Sequence, residues 1–424
     1  MRLLNLYSKT FSQPFATFPS SPLNLKTMAG KCVLAPMVRT GELPTRLLAL
    51  RYGADLVWGP ETVDKGIIGT QRVVNSKINC IDFVKPQNGG QYDEKVIFRT
   101  YPTMEAGKLI FQLGTASPEL AVEAAKIVVS DVAGIDVNSG CPKHFSIHSG
   151  MGAALLKNPD RLVDILTSLV TEVGVPNSVP ISVKIRLLEP HSDTIGLVQR
   201  LCTTGISRVT VHCRTIPMRP REPAVRDVLS DIANVCREAG IECFANGDVD
   251  SRAHAEELIG KHGVDGCMIA RAAETNPSVF LPGEKLPWLD VAKEYTRIAV
   301  EVDNHFPNIK FCLSHIIPGK TDLYPLISRS KTARQICEIL EIPYEPPAPR
   351  LEENLDKAFG KAARAEMVGS KAVQKAKSSS TVKAAGGGDS VKHREKKRKE
   401  RGVGLHSEIT GILEQEPHQA AIIL

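Results

Sequence analysis

The chain has 424 residues, 42% of them hydrophobic and 24% charged, the proportions of an ordinary globular protein. No apolar run reaches the roughly 18 residues that a membrane span requires. The ten cysteines include no Cys-x-x-Cys pair, which leaves a zinc site, a thioredoxin-type motif and a disulfide framework without support.

The formal net charge of +6 is unevenly placed. Residues 370–402 carry 11 Lys/Arg against 3 Asp/Glu, so that segment alone is +8 and the remainder about −2. A polyanionic partner would be met by local patches and by this tail rather than by a uniformly basic body. At the other end, residues 1–27 hold three basic residues and no acidic one, with many serines and aromatics. They read either as a mitochondrial presequence or as a disordered leader, and Met28 could serve as a second start. The expected location is cytoplasm and/or nucleus, with mitochondrial targeting by 1–27 as the other reading.

From Lys31 onward short β-branched runs alternate with helical stretches. The runs are CVLAPM (32–37), ADLVWG (54–59), KLIFQLG (108–114), GIDVNSG (134–140), PISVKIR (180–186), SRVTVHCR (207–214), IECFANGD (241–248) and DGCMIARA (265–272). Between them lie helices such as 43–53, closed by a glycine, 117–130, with Ser117 as cap and Pro118 at the first turn, 158–174 and 251–263. Near-continuous apolar strands alternating with helices predict parallel strands buried on both faces. Eight such units predict a (β/α)8 TIM barrel over residues 28–282. An open doubly wound sheet would carry a Gly-x-Gly-x-x-Gly turn after its first strand, and none is present. Residues 70–107 are too long for a simple connection and read as an insertion near the barrel mouth with a short hairpin. Residues 283–342 read as a small all-α domain with helices over 287–306, 309–319 and 329–342. Residues 343–424 read as a Pro-rich linker and a low-complexity, disordered basic tail.

In a barrel the chemistry stands at the C-terminal ends of the strands. The residues there are Ala35, Pro36 and Met37 after the first run, Gln112 at the third, and Asn138 with Gly140-Cys141-Pro142 after the fourth. Lys184 and Arg186 end the fifth run, and His212 and Arg214 the sixth. Asn246, Gly247 and Asp248 follow the seventh, and Ala270 and Arg271 the eighth. Each alone could be a loop residue bonded to its own backbone; the set is not what core packing produces. The last two strand ends are the usual phosphate site of this architecture, and here they offer glycine backbone and arginine. That geometry suits a flavin mononucleotide (FMN) with its phosphate at Asn246-Gly247 and Arg271 and its ring over the barrel axis, where Gln112, Lys184 and His212 would meet it. Cys141 can be a small buried hydrophobe, a metal ligand or a catalyst. The flanking Gly and Pro argue against a strand interior. His144 and His148 have helical spacing but no carboxylate or second cysteine beside them, so no metal is expected.

The segments LAPMVRTG, DVNSGCPKHFSIHSGMGAALLKNP, VKIR, VTVHCRT, ANGDV and DGCMIARAAETNPSVF together resemble the tRNA-dihydrouridine synthases, over about residues 31–342. Those proteins are FMN-dependent TIM barrels with a C-terminal helical domain. MVRTGELPTRLLALRYGADLVWGPETVDKGI and ARAAETNP are most similar to the eukaryotic branch that modifies uridine 20. The resemblance implies FMN binding by Ala35, Pro36, Met37, Gln112, Lys184, His212, Asn246, Gly247, Asp248, Ala270 and Arg271, with NADPH (or NADH) as reductant. It implies hydride addition at C6 of a tRNA uracil and protonation at C5 by Cys141. Asn138, Arg39, Lys143, Arg186, Arg214, Arg219 and Arg221 are the candidate contacts to uracil or tRNA, and the protein would act as a monomer without a membrane. Ala270 stands where many members have glycine, which is tolerable at negative φ. Animal members of the branch add a double-stranded-RNA-binding domain. None is recognisable in this sequence, and the basic tail reads either as an RNA-holding segment or as a nuclear-localisation signal. The rival readings are a flavin barrel acting on a free pyrimidine and a non-catalytic RNA-binding barrel.

Overall fold

The computed structural model describes residues 30–86 and 94–347. The expectations for the leader 1–27 and for the tail beyond 347 lie outside the described residues. Twelve strands occur among them: β1 (Lys31–Leu34), β2 (Val57–Trp58), β3 (Thr62–Val63), β4 (Gln71–Asn75), β5 (Cys80–Pro86), β6 (Glu94–Thr100), β7 (Leu109–Gly114), β8 (Gly134–Ser139), β9 (Ile181–Leu187), β10 (Arg208–Thr215), β11 (Glu242–Asn246) and β12 (Gly266–Ile269). Eight are parallel and closed. The order β2-β1-β12-β11-β10-β9-β8-β7 returns on itself through the β2–β7 pairing, and β3 prolongs the run of β2 along β7. Each of the eight apolar runs of the sequence contains one barrel strand.

Period-two alternation sorts the side chains into two cores. Leu34, Val57, Phe111, Val137, Ile185, Val211, Ala245 and Ile269 point outward into the layer beneath the helices. Val33, Ala35, Trp58, Ile110, Phe244 and Met268 fill the barrel interior. At the N-terminal end Arg208 lies over Phe244 and Trp58, with its charge cation centres 4.6 and 5.6 Å from the two rings. It is held by Glu242, which also pairs with Lys31 at 2.5 Å. That end is therefore plugged, and the open end is the one where the strands finish.

The helices start where local chemistry allows. Ser117 Oγ accepts from Leu120 N–H at 3.3 Å at the start of helix Pro118–Val128. Asn158 and Ser251 cap helices Pro159–Leu169 and Arg252–His262 in the same way. Helix Leu43–Arg51 ends before Gly53, at φ +96°.

The insertion carries one strand more than the expected hairpin: β4, β5 and β6 form an antiparallel three-stranded sheet. It is fastened to the barrel by Phe98, edge-on to Phe111 at 5.0 Å. It is also fastened by the fully buried pair Arg46–Glu105, 2.6 Å apart. Among the described residues four helices follow Phe280: Trp288–Glu301, Phe306–Ile316, Leu323–Arg329 and Ala333–Ile339. Leu323–Arg329 contains a proline and is absent from the sequence-based expectation. These helices share one apolar core with Leu43, Leu47 and Leu48 of the first barrel helix and with Cys80 and Tyr101 of the insertion. The described residues up to Pro346 accordingly form a single compact unit.

Candidate active site

The strand registers build the open end of the barrel in steps. Gln112, Asp136 and Ser182 lie side by side on β7, β8 and β9. Two residues further along, Asn138, Lys184 and Thr210 do so on β8, β9 and β10. Two further, Arg186, His212 and Asn246 follow on β9, β10 and β11. Because side chains alternate faces, every one of these belongs to the inner face.

The lowest step is held by a carboxylate that strand-end reasoning does not reach. Asp136 is fully buried and accepts from Gln112 Nε2 at 2.8 Å and Ser182 Oγ at 2.7 Å. Burial raises its pKa, with the two hydrogen bonds and the Lys184 charge opposing. The contact fixes the Gln112 amide, leaving its oxygen and its second N–H for a ligand. Lys184 makes no hydrogen bond or ion pair among the described residues. Burial, with the charge of Arg186 second, brings it down to about 8, while Asp136 pulls the other way. His212 is pushed well below the usual histidine range by burial and then by Lys184, Arg186, Arg214 and Arg271, so its ring is neutral. The Thr210 hydroxyl is buried without a partner among the described residues.

The β11 loop is a cationic turn. Gly247 has φ +115°, and a Cβ there would come within 3.2 Å of the His212 ring and 3.3 Å of Ala224, so only glycine leaves the cradle open. Asn246 is buried and donates to Met268 O at 2.8 Å. Arg226, another residue missed from sequence, donates to Gly247 O at 2.7 Å and leaves a buried Nε unpaired among the described residues. Ala270 has φ −113°, within the reach of an L-residue.

Two of the expected contact residues have their side chains taken up within the loop. Asp248 is one of them. Its carboxylate takes Arg214 at 2.6 Å, Arg271 and the Ala224 N–H, and so organises the loop. Burial alone would raise its pKa, but these partners outweigh it and the net shift is downward. Arg214 is the other. It is 3% exposed and is spent on Asp248, Glu222 O and Pro220 O. Arg271 is shared between Asp248 and Pro220 O but remains exposed, so part of its fork is free.

Beside this floor stands the loop after β8. Asn138 Oδ1 accepts from Gly140 N–H at 3.0 Å and Cys141 N–H at 3.1 Å, which folds the chain so that Cys141 sits at the rim. Arg186 Nε donates to Gly140 O at 2.7 Å and buttresses the same turn. The half-buried Cys141 thiol is shifted upward, chiefly by burial and further by Glu61; the Lys143 backbone, Ser146 and the Lys143 charge oppose. Glu61, two residues past the second apolar run, is the third residue missed from sequence. Burial raises its pKa, with the Asn138 hydrogen bond and Lys143 opposing, and its Oε1 is buried and unpartnered among the described residues.

Pro36 and Met37 are half-buried on the loop after β1. Arg39, on the same loop, has its guanidinium 3.7 Å from the Phe311 ring, and its carbonyl accepts from Asn308 at 2.7 Å. This places it on the helical segment's cleft of about 400 Å³, lined also by Phe306, Lys310 and Tyr324. Lys143, Arg219 and Arg221 are exposed at the same end of the barrel. His144 and His148 stack on each other on the exposed turn after Cys141, ring centres 5.5 Å apart.

The residues present fit a flavin phosphate. Among the described residues, a cation with no ion pair, an oriented amide, a neutral imidazole and a buried hydroxyl with no partner line the floor. A glycine cradle with Arg226 and Arg271 stands at one side.

The family model described as "Dihydrouridine synthase (Dus)" matches residues 33–375. The chain is 55% identical over 328 residues to the tRNA-dihydrouridine(20) synthase [NAD(P)+] of Schizosaccharomyces pombe, covering 76% of this chain and 67% of that protein. It is 48% identical to the Saccharomyces cerevisiae protein of the same name, covering 74% and 84%. It is 31% identical to the human tRNA-dihydrouridine(20a/20b) synthase [NAD(P)+]-like protein, covering 62% and 76%.

Proposed function

The chain belongs to the dihydrouridine synthase family, and from that premise we propose that it reduces the C5=C6 bond of uridine 20 in the D-loop of tRNA to 5,6-dihydrouridine. The cofactor is FMN, with NADPH or NADH as reductant. The observation that carries the reading is a half-buried thiol, its pKa raised by burial, at the rim of a barrel whose floor holds Lys184 with no ion pair among the described residues.

Gln112, Lys184, His212, Asn246, the Gly247 backbone, Arg226 and Arg271 would hold the cofactor, against Ala35, Pro36 and Met37. A bound flavin supplies hydride to C6 of the uracil. The chain supplies the rest. Reduction leaves negative charge at C5 and O4, which a general acid must quench. Cys141 is kept as a neutral thiol by burial and by Glu61, so its proton is present at neutral pH and is released to C5. Lys184 supplies positive charge where a reduced flavin ring is anionic. His212, being neutral, can hydrogen-bond the same ring without adding charge.

A base in folded RNA reaches this floor only when flipped out of its stack. Arg39, Lys143, Arg219 and Arg221 surround the opening and would hold the flanking phosphates, as would the tail. Cys141→Ala tests the assignment. The purified variant is expected to remain yellow and to lose at least about 100-fold in dihydrouridine formation, the usual weight of a general acid. Turnover at the wild-type rate would overturn the role of Cys141.

A further inference from the structure

We propose that Glu61 is a specificity-determining residue that accepts the N3–H of the target uracil, with Asn138 beside it donating to O4. The inference rests on the reading of the reaction above. It begins from an orphan: Glu61 Oε1 is buried at the barrel mouth and has no partner among the described residues. Its place is built. Gly114, at the end of β7, would set a Cβ 2.6 Å from that oxygen, so the glycine reserves the space the carboxylate fills. The second observation is the orientation of Asn138. Its oxygen is already committed to two backbone N–H groups, of Gly140 and Cys141. Only the NH₂ remains, and the β7–β8 register, which pairs Leu113 with Val137, carries Gly114 and the carboxylate packed against it next to Asn138. Asn138 can therefore donate to a base but cannot accept from it.

The pair thus presents a donor beside an acceptor. The edge of uracil from O4 to N3 reads acceptor then donor, the complement. Cytosine reads donor then acceptor at the same two atoms and would set its N3 lone pair against the carboxylate. The order is also right for the chemistry. Asn138 holds the backbone of Cys141, and O4 stands on the carbon next to C5, where the thiol must deliver its proton. A buried carboxylate of this kind rejects a base lacking the N–H because its oxygen is then left unpaired.

The test uses full-length protein with its flavin and two tRNAs, one with uridine and one with 3-methyluridine at the reduced position. Dihydrouridine formation by wild type, Glu61→Gln and Glu61→Ala is followed in single turnover. Flavin absorbance of each variant reports that the floor is intact. Glu61→Gln is expected to lose about 10- to 100-fold in kcat/KM on the uridine tRNA, the weight of one hydrogen bond to a charged acceptor, mostly through KM. Wild type is expected to prefer uridine over 3-methyluridine by about 100-fold or more, and Glu61→Ala to bring that ratio within about tenfold. A wild-type ratio in Glu61→Ala, or unchanged kcat/KM in Glu61→Gln, overturns the assignment. Absence of product from the uridine tRNA with wild type overturns the underlying reaction instead, and with it this role for Glu61.

Discussion

Lys184→Met is expected to stabilise the flavin-free protein and to cripple the flavin-loaded one. The floor of the barrel holds this lysine with no ion pair or hydrogen bond among the described residues, and burial outweighs the pull of Asp136 to bring its pKa from 10.5 to about 8. At about 1.36 kcal/mol for each tenfold change in proton affinity, the folded flavin-free state forfeits up to about 3 kcal/mol at neutral pH. Partial exposure of the side chain reduces that figure. The sign is that of a base held less tightly protonated when folded. The unfolded chain binds the extra proton, so the penalty is present below pH 8 and fades as pH rises toward 10.5. Methionine keeps the length and removes the charge. Urea unfolding of flavin-free wild type and variant at pH 7 and at pH 10 provides the assay. The expected result is a more stable variant at pH 7, with the advantage shrinking at pH 10, and flavin affinity weakened at least about tenfold. A variant no more stable than wild type at pH 7 would refute the claim that Lys184 is an unpaired cation awaiting a ligand.

Three further outcomes follow from particular contacts. Flavin binding to the flavin-free wild type should weaken as pH rises through about 8, because Lys184 loses its proton there; an affinity that stays flat to pH 9 would contradict this. Glu105→Ala should cost about 3–5 kcal/mol in unfolding free energy, since it strands the buried Arg46 and also removes the acceptor of Thr100 Oγ1 and Tyr101 N–H. Chemical denaturation that finds less than about 1 kcal/mol would show that the pair is dispensable. Truncation after residue 342 should weaken tRNA binding, most at low salt, as phosphate contacts do; equal affinity in a filter-binding titration would leave the tail no part in RNA capture.

The barrel was legible because its strands are buried on both faces, so each one prints a continuous apolar run, and each run contains a strand. Strand-end position then picked out Gln112, Asn138, Lys184, His212 and Asn246, which the registers bring to one inner face. What escaped follows from the same rule applied incompletely. Glu61 stands two residues beyond the second run, where the same rule applies. Asp136 was hidden by lying mid-strand. A charged residue inside GIDVNSG was itself the signal, because a buried carboxylate needs partners, and Gln112 and Ser182 are those partners. Arg214 and Asp248 were placed correctly along the chain, but their pairing with each other depends on the fold of the 216–228 loop, which no local pattern encodes. The same holds for Arg226 and for the third strand of the insertion.

The most direct test of the central claim is dihydrouridine formation by the purified protein with NADPH, using unmodified tRNA and free uracil as parallel substrates. The account predicts dihydrouridine at one D-loop position of the tRNA and no reduction of free uracil. Reduction of free uracil at a comparable rate, or flavin-loaded protein that leaves the tRNA unchanged, would contradict it.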